Sequence, residues 1–199
     1  SIGDNGGVSM ETIVERITTA MLEQRLPLGT KLGEEKLCAV LGVSRTKVRQ
    51  ALNRLARSQL VVLKPRRGAF LAEPTPEEAR QVFEARRVIE CEIFAQFTRS
   101  ASEADFVALE RHVEAERRAI RMDDVPLRNR LLGMFHVRIA EIVGNQVLTA
   151  IIADLVTRSS LITLLLQSTQ AASCSSDEHS ELIKAMRARK GPLVQKLLR

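Results

Sequence analysis

Two prolines set two residues apart, Pro74 and Pro76, constrain the fold of this chain more than any other feature. Each disfavours helix on the residue before it, so no regular element runs through Ala72-Glu73-Pro74-Thr75-Pro76 and the chain divides there. Residues 1–9, SIGDNGGVS, are small, polar and Gly-rich, and read as a flexible tail. That leaves a first domain over residues 10–73, a linker over 74–76 and a second domain over 77–199.

The two sides of the break have different patterns. Upstream, Ile13, Ile17, Ala20, Met21 and Leu22 recur at helical spacing, and this helix must stop before Pro27-Leu28-Gly29. A short helix from about Glu34 to Val40, the turn Leu41-Gly42-Val43 and a helix capped by Ser44 and running to about Ser58 follow. Leu60 to Leu63 is a β-type run, Pro65-Arg66-Arg67-Gly68 a turn, and Ala69-Phe70-Leu71 the returning strand. Three helices and a hairpin make a winged helix-turn-helix. Downstream almost nothing alternates; helical periodicity gives helices at roughly 76–99, 102–122, 125–143, 146–167, 177–189 and from 191 onward. Ser102 with Asp105, Asn145, and Ser176 or Asp177 are the expected N-caps. The fold class is therefore mostly α, a winged helix-turn-helix followed by an all-α antiparallel bundle.

Charge placement separates the halves further. Residues 1–75 carry 12 basic and 7 acidic side chains, and residues 76–199 carry 18 and 17. Between Ser44 and Arg67 stand Arg45, Lys47, Arg49, Arg54, Arg57, Lys64, Arg66 and Arg67 with no acid among them. A solvated face normally mixes signs, so this run points to a polyanion. With six Phe and no Trp or Tyr the chain lacks the platforms that stack single-stranded bases, which favours duplex DNA.

In the third helix Val48, Ala51, Leu52 and Leu55 form a buried stripe, which turns Arg45, Thr46, Arg49 and Asn53 to another face. Arg45 and Arg49, four apart, project together and suit the O6 and N7 of guanine, whereas Ser44, Thr46 and Lys47 suit phosphates. Arg66 and Arg67 at the hairpin tip can reach an adjacent minor groove or its phosphates. The blander alternative is an exposed basic helix without a ligand, which gives no reason for the missing acids.

The series Gly29-Thr30-Lys31-Leu32, Glu34 and Leu37, then Leu41-Gly42-Val43-Ser44-Arg45-Thr46-Lys47-Val48-Arg49-Gln50-Ala51-Leu52, and finally Pro65-Arg66-Arg67-Gly68-Ala69-Phe70-Leu71, closely resembles the winged helix of GntR-family transcriptional regulators. The resemblance implies DNA contacts by Arg45 and Arg49 and support from the wing around Gly68. Lys47 stands where relatives often have proline, and Glu35 where some have a basic DNA-contacting residue. The second half resembles the FCD ligand-binding domain of the FadR-like branch, through Arg87-Val88-Ile89-Glu90, Phe135-His136 with Ile139-Ala140 and Gly144-Asn145, and Glu178-His179 with Leu182-Ile183 and Ala185.

Many such domains hold a divalent metal with an aspartate four residues before the histidine of the Phe-His pair, that histidine, and two later ones. Here His136 and His179 are kept as metal candidates for zinc or nickel, while Leu132 replaces the aspartate and the given sequence stops near the place expected for the last histidine. His136 and His179, with Arg87 and Arg158, are also the candidate effector-binding residues, the arginines because their forked donors suit a carboxylate. The alternative for Arg158 is a structural ion pair with Glu90 or Asp154. His112, in a highly charged helix, reads as a surface residue.

These features predict a DNA-binding transcriptional regulator, in family terms a repressor, that binds a palindromic operator as a homodimer and releases it on binding a small organic acid. The three cysteines, Cys38, Cys91 and Cys174, are scattered and read as reduced thiols in a cytoplasm, and no apolar run approaches the roughly 18 residues of a membrane span. Two alternatives stay open. A metal-dependent hydrolase could use the same histidines, although HExxH, GxSxG and GxxxxGK[ST] are all missing; a sequence-tolerant architectural DNA binder would explain the basic run.

Overall fold

A computed structural model of the chain describes residues 8–23, 25–164 and 169–198, with side chains except those of Leu22, Leu164 and residues 169–174. Ser9 accepts a hydrogen bond from the Thr12 amide and starts α1 (Met10–Leu22), whose Ile13, Ile17 and Met21 are buried one turn apart. The second helix, α2 (Glu34–Leu41), ends where Gly42 takes the left-handed conformation at φ +65° and its N–H reaches the Cys38 carbonyl. Ser44 then caps α3 (Arg45–Arg57), which buries Val48, Ala51, Leu52 and Leu55 as the spacing predicts.

The wing is a three-stranded antiparallel sheet, not the lone hairpin expected from the sequence. Strands β1 (Lys31–Leu32), β2 (Val61–Lys64) and β3 (Gly68–Leu71) lie in the order β1-β3-β2, with Lys31 opposite Phe70 and Leu32 opposite Ala69. A two-residue strand carries no alternation to detect; β1 exists because β3 offers it an edge. Arg66 and Gly68 supply the positive φ values, +60° and +97°, that close the β2–β3 turn.

The chain separates into two compact units, Ser1–Pro74 and Thr75–Arg199. The second opens on a reciprocal capping box: Thr75 accepts from the Glu78 amide while the Glu78 carboxylate accepts from the Thr75 amide, and Pro76 begins α4 (Pro76–Ser100). Two residues expected as linker are thus a helix cap and a helix start. A second box, Ser102 with Asp105, opens α5 (Glu103–Arg121), and Asp124 caps α6 (Val125–Val143). Gly144 ends α6 at φ +83°, and the Asn145 side chain accepts from the Val147 and Leu148 amides to start α7 (Gln146–Leu164).

The next helix departs from expectation. α8 runs Thr169–Arg187, so Ser176 and Asp177 lie inside it instead of capping it, and α9 (Gly191–Leu197) follows. Ser176 is 1% exposed, and the Ser180 hydroxyl donates to its carbonyl: packing and back-bonding hold a cap-type residue within a helix. Helix α6 packs on α5 and α7, α4 on α7 and α6, and α5 on α8. Phe94, Phe97, Phe106, Phe135, Ile139 and Met186 fill the core between them. At Gly133 the approach of α6 to α7 is tight, since a Cβ there would stand 2.9 Å from Val156 Cγ1 and 3.0 Å from Ser160 Oγ. One stretch of α7, Gln146–Thr163, has the length and a mean hydropathy of 1.2 that a membrane span would need. It carries Asp154 and Arg158 and packs on α4 and α6.

Candidate functional site

In the first unit Ser44, Arg45, Thr46 and Arg49 are all exposed at the start of α3, and Arg66, Arg67 and Gly68 are exposed on the wing. Lys64 Nζ and the Arg67 guanidinium lie over the Phe70 ring at 4.8 and 5.8 Å, which steadies two wing cations without neutralising them. Lys47 departs from this face: it is half-buried and donates to the Val8 carbonyl at 3.1 Å, because its position on α3 turns it toward the start of α1. The acid-free run is also less bare in space than in sequence. Arg45 pairs with Glu35 at 2.6 Å, and Arg49 Nε donates to both Glu34 oxygens at 3.0 and 2.9 Å, the two acids coming from the first turn of α2.

The second unit holds a cavity of about 600 Å³ walled by α4, α6, α7, α8 and α9. His136 from α6 and His179 from α8 meet in its wall with their Nε2 atoms 3.3 Å apart. Their outer nitrogens each face a carboxylate: His136 Nδ1 stands 2.7 Å from Glu90 Oε1, off the line of a regular hydrogen bond, and His179 Nδ1 donates to both Glu116 oxygens at 3.0 Å. Phe135 stacks on the His179 ring at 3.9 Å and 10°. His112 is not on the surface. It is 7% exposed, its Nε2 donates to the Leu131 carbonyl at 2.8 Å and lies 3.4 Å from Glu116, and a charged helix hid it because only one of its faces is charged.

The charges follow from burial and neighbours. Burial alone would raise the Glu90 carboxyl, but His136 and the Arg86 guanidinium beside it outweigh that and hold it down at about 2. Burial, reinforced by Arg86, pushes the His136 imidazole down to about 4 against the pull of Glu90, so it is neutral at pH 7. Burial likewise opposes the Glu116 carboxylate, whose hydrogen bonds to His112 and His179 hold it below the usual range.

The arginines sort differently from their spacing. Arg86, the neighbour of the Arg-x-x-Glu residue, is the half-buried one, bound to Glu90 at 2.6 Å and to the Ser159 hydroxyl at 2.8 Å. Arg87 lines the cavity, is exposed, and has no ion pair among the described residues. Arg158 does not line the cavity: it is half-buried on α7, where the charge it feels is Glu78, neither of the partners expected for it. Leu132, in the expected aspartate position, is buried in the cavity wall. Among the described residues no group of three or more His, Cys, Asp or Glu is arranged to hold a metal. Two nitrogens bound at about 2.0–2.1 Å to one tetrahedral ion stand about 3.3 Å apart, so the facing imidazoles have the spacing of a shared edge.

The family model for bacterial regulatory proteins of the gntR family matches residues 9–71, and the FCD domain model matches residues 81–199, more than half of the chain. This chain belongs to the gntR family, in its FCD-bearing branch. Relatives of this gntR regulator include the HTH-type transcriptional repressor RspR of Escherichia coli, 27% identical over 118 residues, covering 59% of this chain and 52% of the relative. The gluconate operon transcriptional repressor of Bacillus licheniformis is 34% identical over 85 residues, covering 43% of this chain and 33% of the relative. The chain spans about half the length of the first of these curated relatives and about a third of the second. Two solved structures share its fold at a TM-score of 0.82, a GntR transcriptional regulator from Rhodococcus sp. RHA1 at 20% identity and McbR/YncC of E. coli at 19%, each covering 95% of this chain and 91% of the other.

Proposed function

We propose that this gntR-family chain is a cytoplasmic repressor that binds a palindromic DNA operator as a homodimer and loses affinity for it when a small organic acid enters the cavity. The observation that carries this reading is the combination, in one chain, of an exposed face bearing Arg45 and Arg49 with a polar cavity bearing Arg87, unpaired among the described residues, and two facing imidazoles. Relatives named as repressors support the direction of control.

Within the cavity His136 and His179 are the residues that would hold a zinc or nickel ion. The Glu116 carboxylate behind His179 favours the tautomer that turns its Nε2 lone pair toward His136, where a cation shared with His136 Nε2 would sit. When bound, such an ion supplies a Lewis-acidic grip on a carboxylate. Arg87 steers the acid and pairs with its charge, while Arg86 and Glu90 keep His136 in place.

The test has two arms. Duplexes selected from a random pool should bind the full chain at least about a thousandfold tighter than unselected duplex at fixed salt, and a sequence-tolerant binder would show no such ratio. A panel of carboxylates, run with and without zinc after chelation, should raise the melting temperature and weaken the selected complex. No shift with any acid removes the acid effector from the proposal and leaves the DNA arm standing.

A further inference from the structure

Asn129 is 6% exposed, lines the cavity, and its side-chain Nδ2 has no hydrogen-bond partner among the described residues. A buried amide donor without an acceptor costs stability, and groups of this kind are rare enough that each calls for an explanation. Its position on α6 supplies one. Asn129 and His136 are seven residues apart, two turns along a single stripe of the helix, so their roots stand about 10 Å apart on the same wall. Between them lie Leu132 and Gly133, one apolar and one without a side chain, both also in the lining. Along this wall the cavity is thus polar at two ends and bare in the middle.

We infer that Asn129 is a ligand-binding residue, whose amide donates to an acceptor oxygen on the effector at the end remote from the imidazole pair. This rests on the reading of the cavity as an acid-binding site and narrows it. Allowing about 2–3 Å for the contact at each end, the ligand presents acceptors about 5 Å apart, the span of a four- or five-carbon dicarboxylate. One carboxylate meets the cation that the histidines would hold, the methylenes pass Leu132 and Gly133, and the second carboxylate accepts from Asn129. A monocarboxylate of equal length leaves the Asn129 donor unpaired, and a site built to donate to a missing group rejects the ligand that lacks it.

The experiment compares glutarate with pentanoate, equal in carbon count, by calorimetric titration with and without saturating zinc into the full-length wild type, Asn129→Leu and Asn129→Asp, with zinc also titrated alone into each. Wild type should prefer glutarate by at least about tenfold. Asn129→Leu should lose that preference, and Asn129→Asp, which sets a carboxylate against a carboxylate, should bind glutarate more weakly still. Zinc affinity should stay the same in all three, since it reports on His136 and His179 alone. An unchanged preference in Asn129→Leu overturns the inference, as does equal binding of the two acids by wild type, and both results leave the acid-binding reading intact. Binding of neither acid by wild type overturns the two together. If Asn129→Leu does not fold, the near-isosteric Asn129→Asp decides: glutarate binding equal to wild type overturns the inference.

Discussion

Arg49 Nε donates to both carboxylate oxygens of Glu34, at 3.0 and 2.9 Å, with the guanidinium side chain 65% exposed and the carboxylate 35%. Beside it Arg45 and Glu35 pair at 2.6 Å in fuller exposure. On the proposed reading, the two arginines placed to read bases are held by two acids from α2, and DNA would have to displace those acids. Exposed pairs of this kind are worth little in stability, about 0–1 kcal/mol, so the acids act on DNA affinity more than on folding.

Glu34→Gln and Glu35→Gln should therefore leave the melting temperature nearly unchanged and raise affinity for unselected duplex about two- to fivefold each at moderate salt, with a steeper salt slope. The gain for a selected operator should be smaller, so the specificity ratio falls. Fluorescence anisotropy over a salt series measures both quantities, and an unchanged ratio would refute a role for these acids.

Acid should destabilise the metal-free protein through His136. Its folded pKa, about 4, lies below the ordinary 6.5, so between those values the unfolded chain binds a proton that the folded chain does not. Stability is complete above about pH 6.5, falls as pH drops toward 4 by up to about 1.4 kcal/mol per pH unit, and this contribution levels off below. Glu90 adds a second loss, beginning near pH 4.5 and extending toward 2 as its carboxylate protonates. Denaturant melts of chelated wild type and His136→Leu from pH 4 to 8 should show the upper slope in the first alone.

Leu132 stands one turn before His136 in the cavity wall, where a carboxylate would share a helix face with the imidazole. Leu132→Asp should tighten zinc or nickel binding by at least about tenfold while lowering the melting temperature of the metal-free protein, because a buried carboxylate has lost its solvent. Saturating metal should reverse the loss. A variant that is destabilised and gains no metal affinity would mean that position 132 does not face the ion.

The capped helices and the buried stripe of α3 were legible because their signals are local: Ser44, Ser102 and Asn145 each act on amides within three residues. The first strand and the early part of α8 were not, since β1 depends on an edge offered by β3 and α8 runs through Ser and Asp residues that elsewhere stop a helix. In the cavity His136, His179 and Arg87 were found from their order along the chain, but Arg86, Glu90, Glu116, His112 and Asn129 were not singled out as cavity residues. Arg86, Glu90 and Glu116 take their roles from partners 40 and more residues away, His112 from a carbonyl 19 residues on, and Asn129 from having none among the described residues, and none of this leaves a mark in local spacing. Arg158 ran the other way: a cation in a mostly apolar helix invited a cavity role, and the residue is not in the cavity lining.

At Gly133 there is no free space between α6 and α7: Val156 and Ser160 occupy the room that even one methyl group would take. A seam that tight does not slide, so the two helices carry load as a single beam. The other walls of the cavity, α4, α8 and α9, are set against that beam, and the imidazole pair bridges from it to α8.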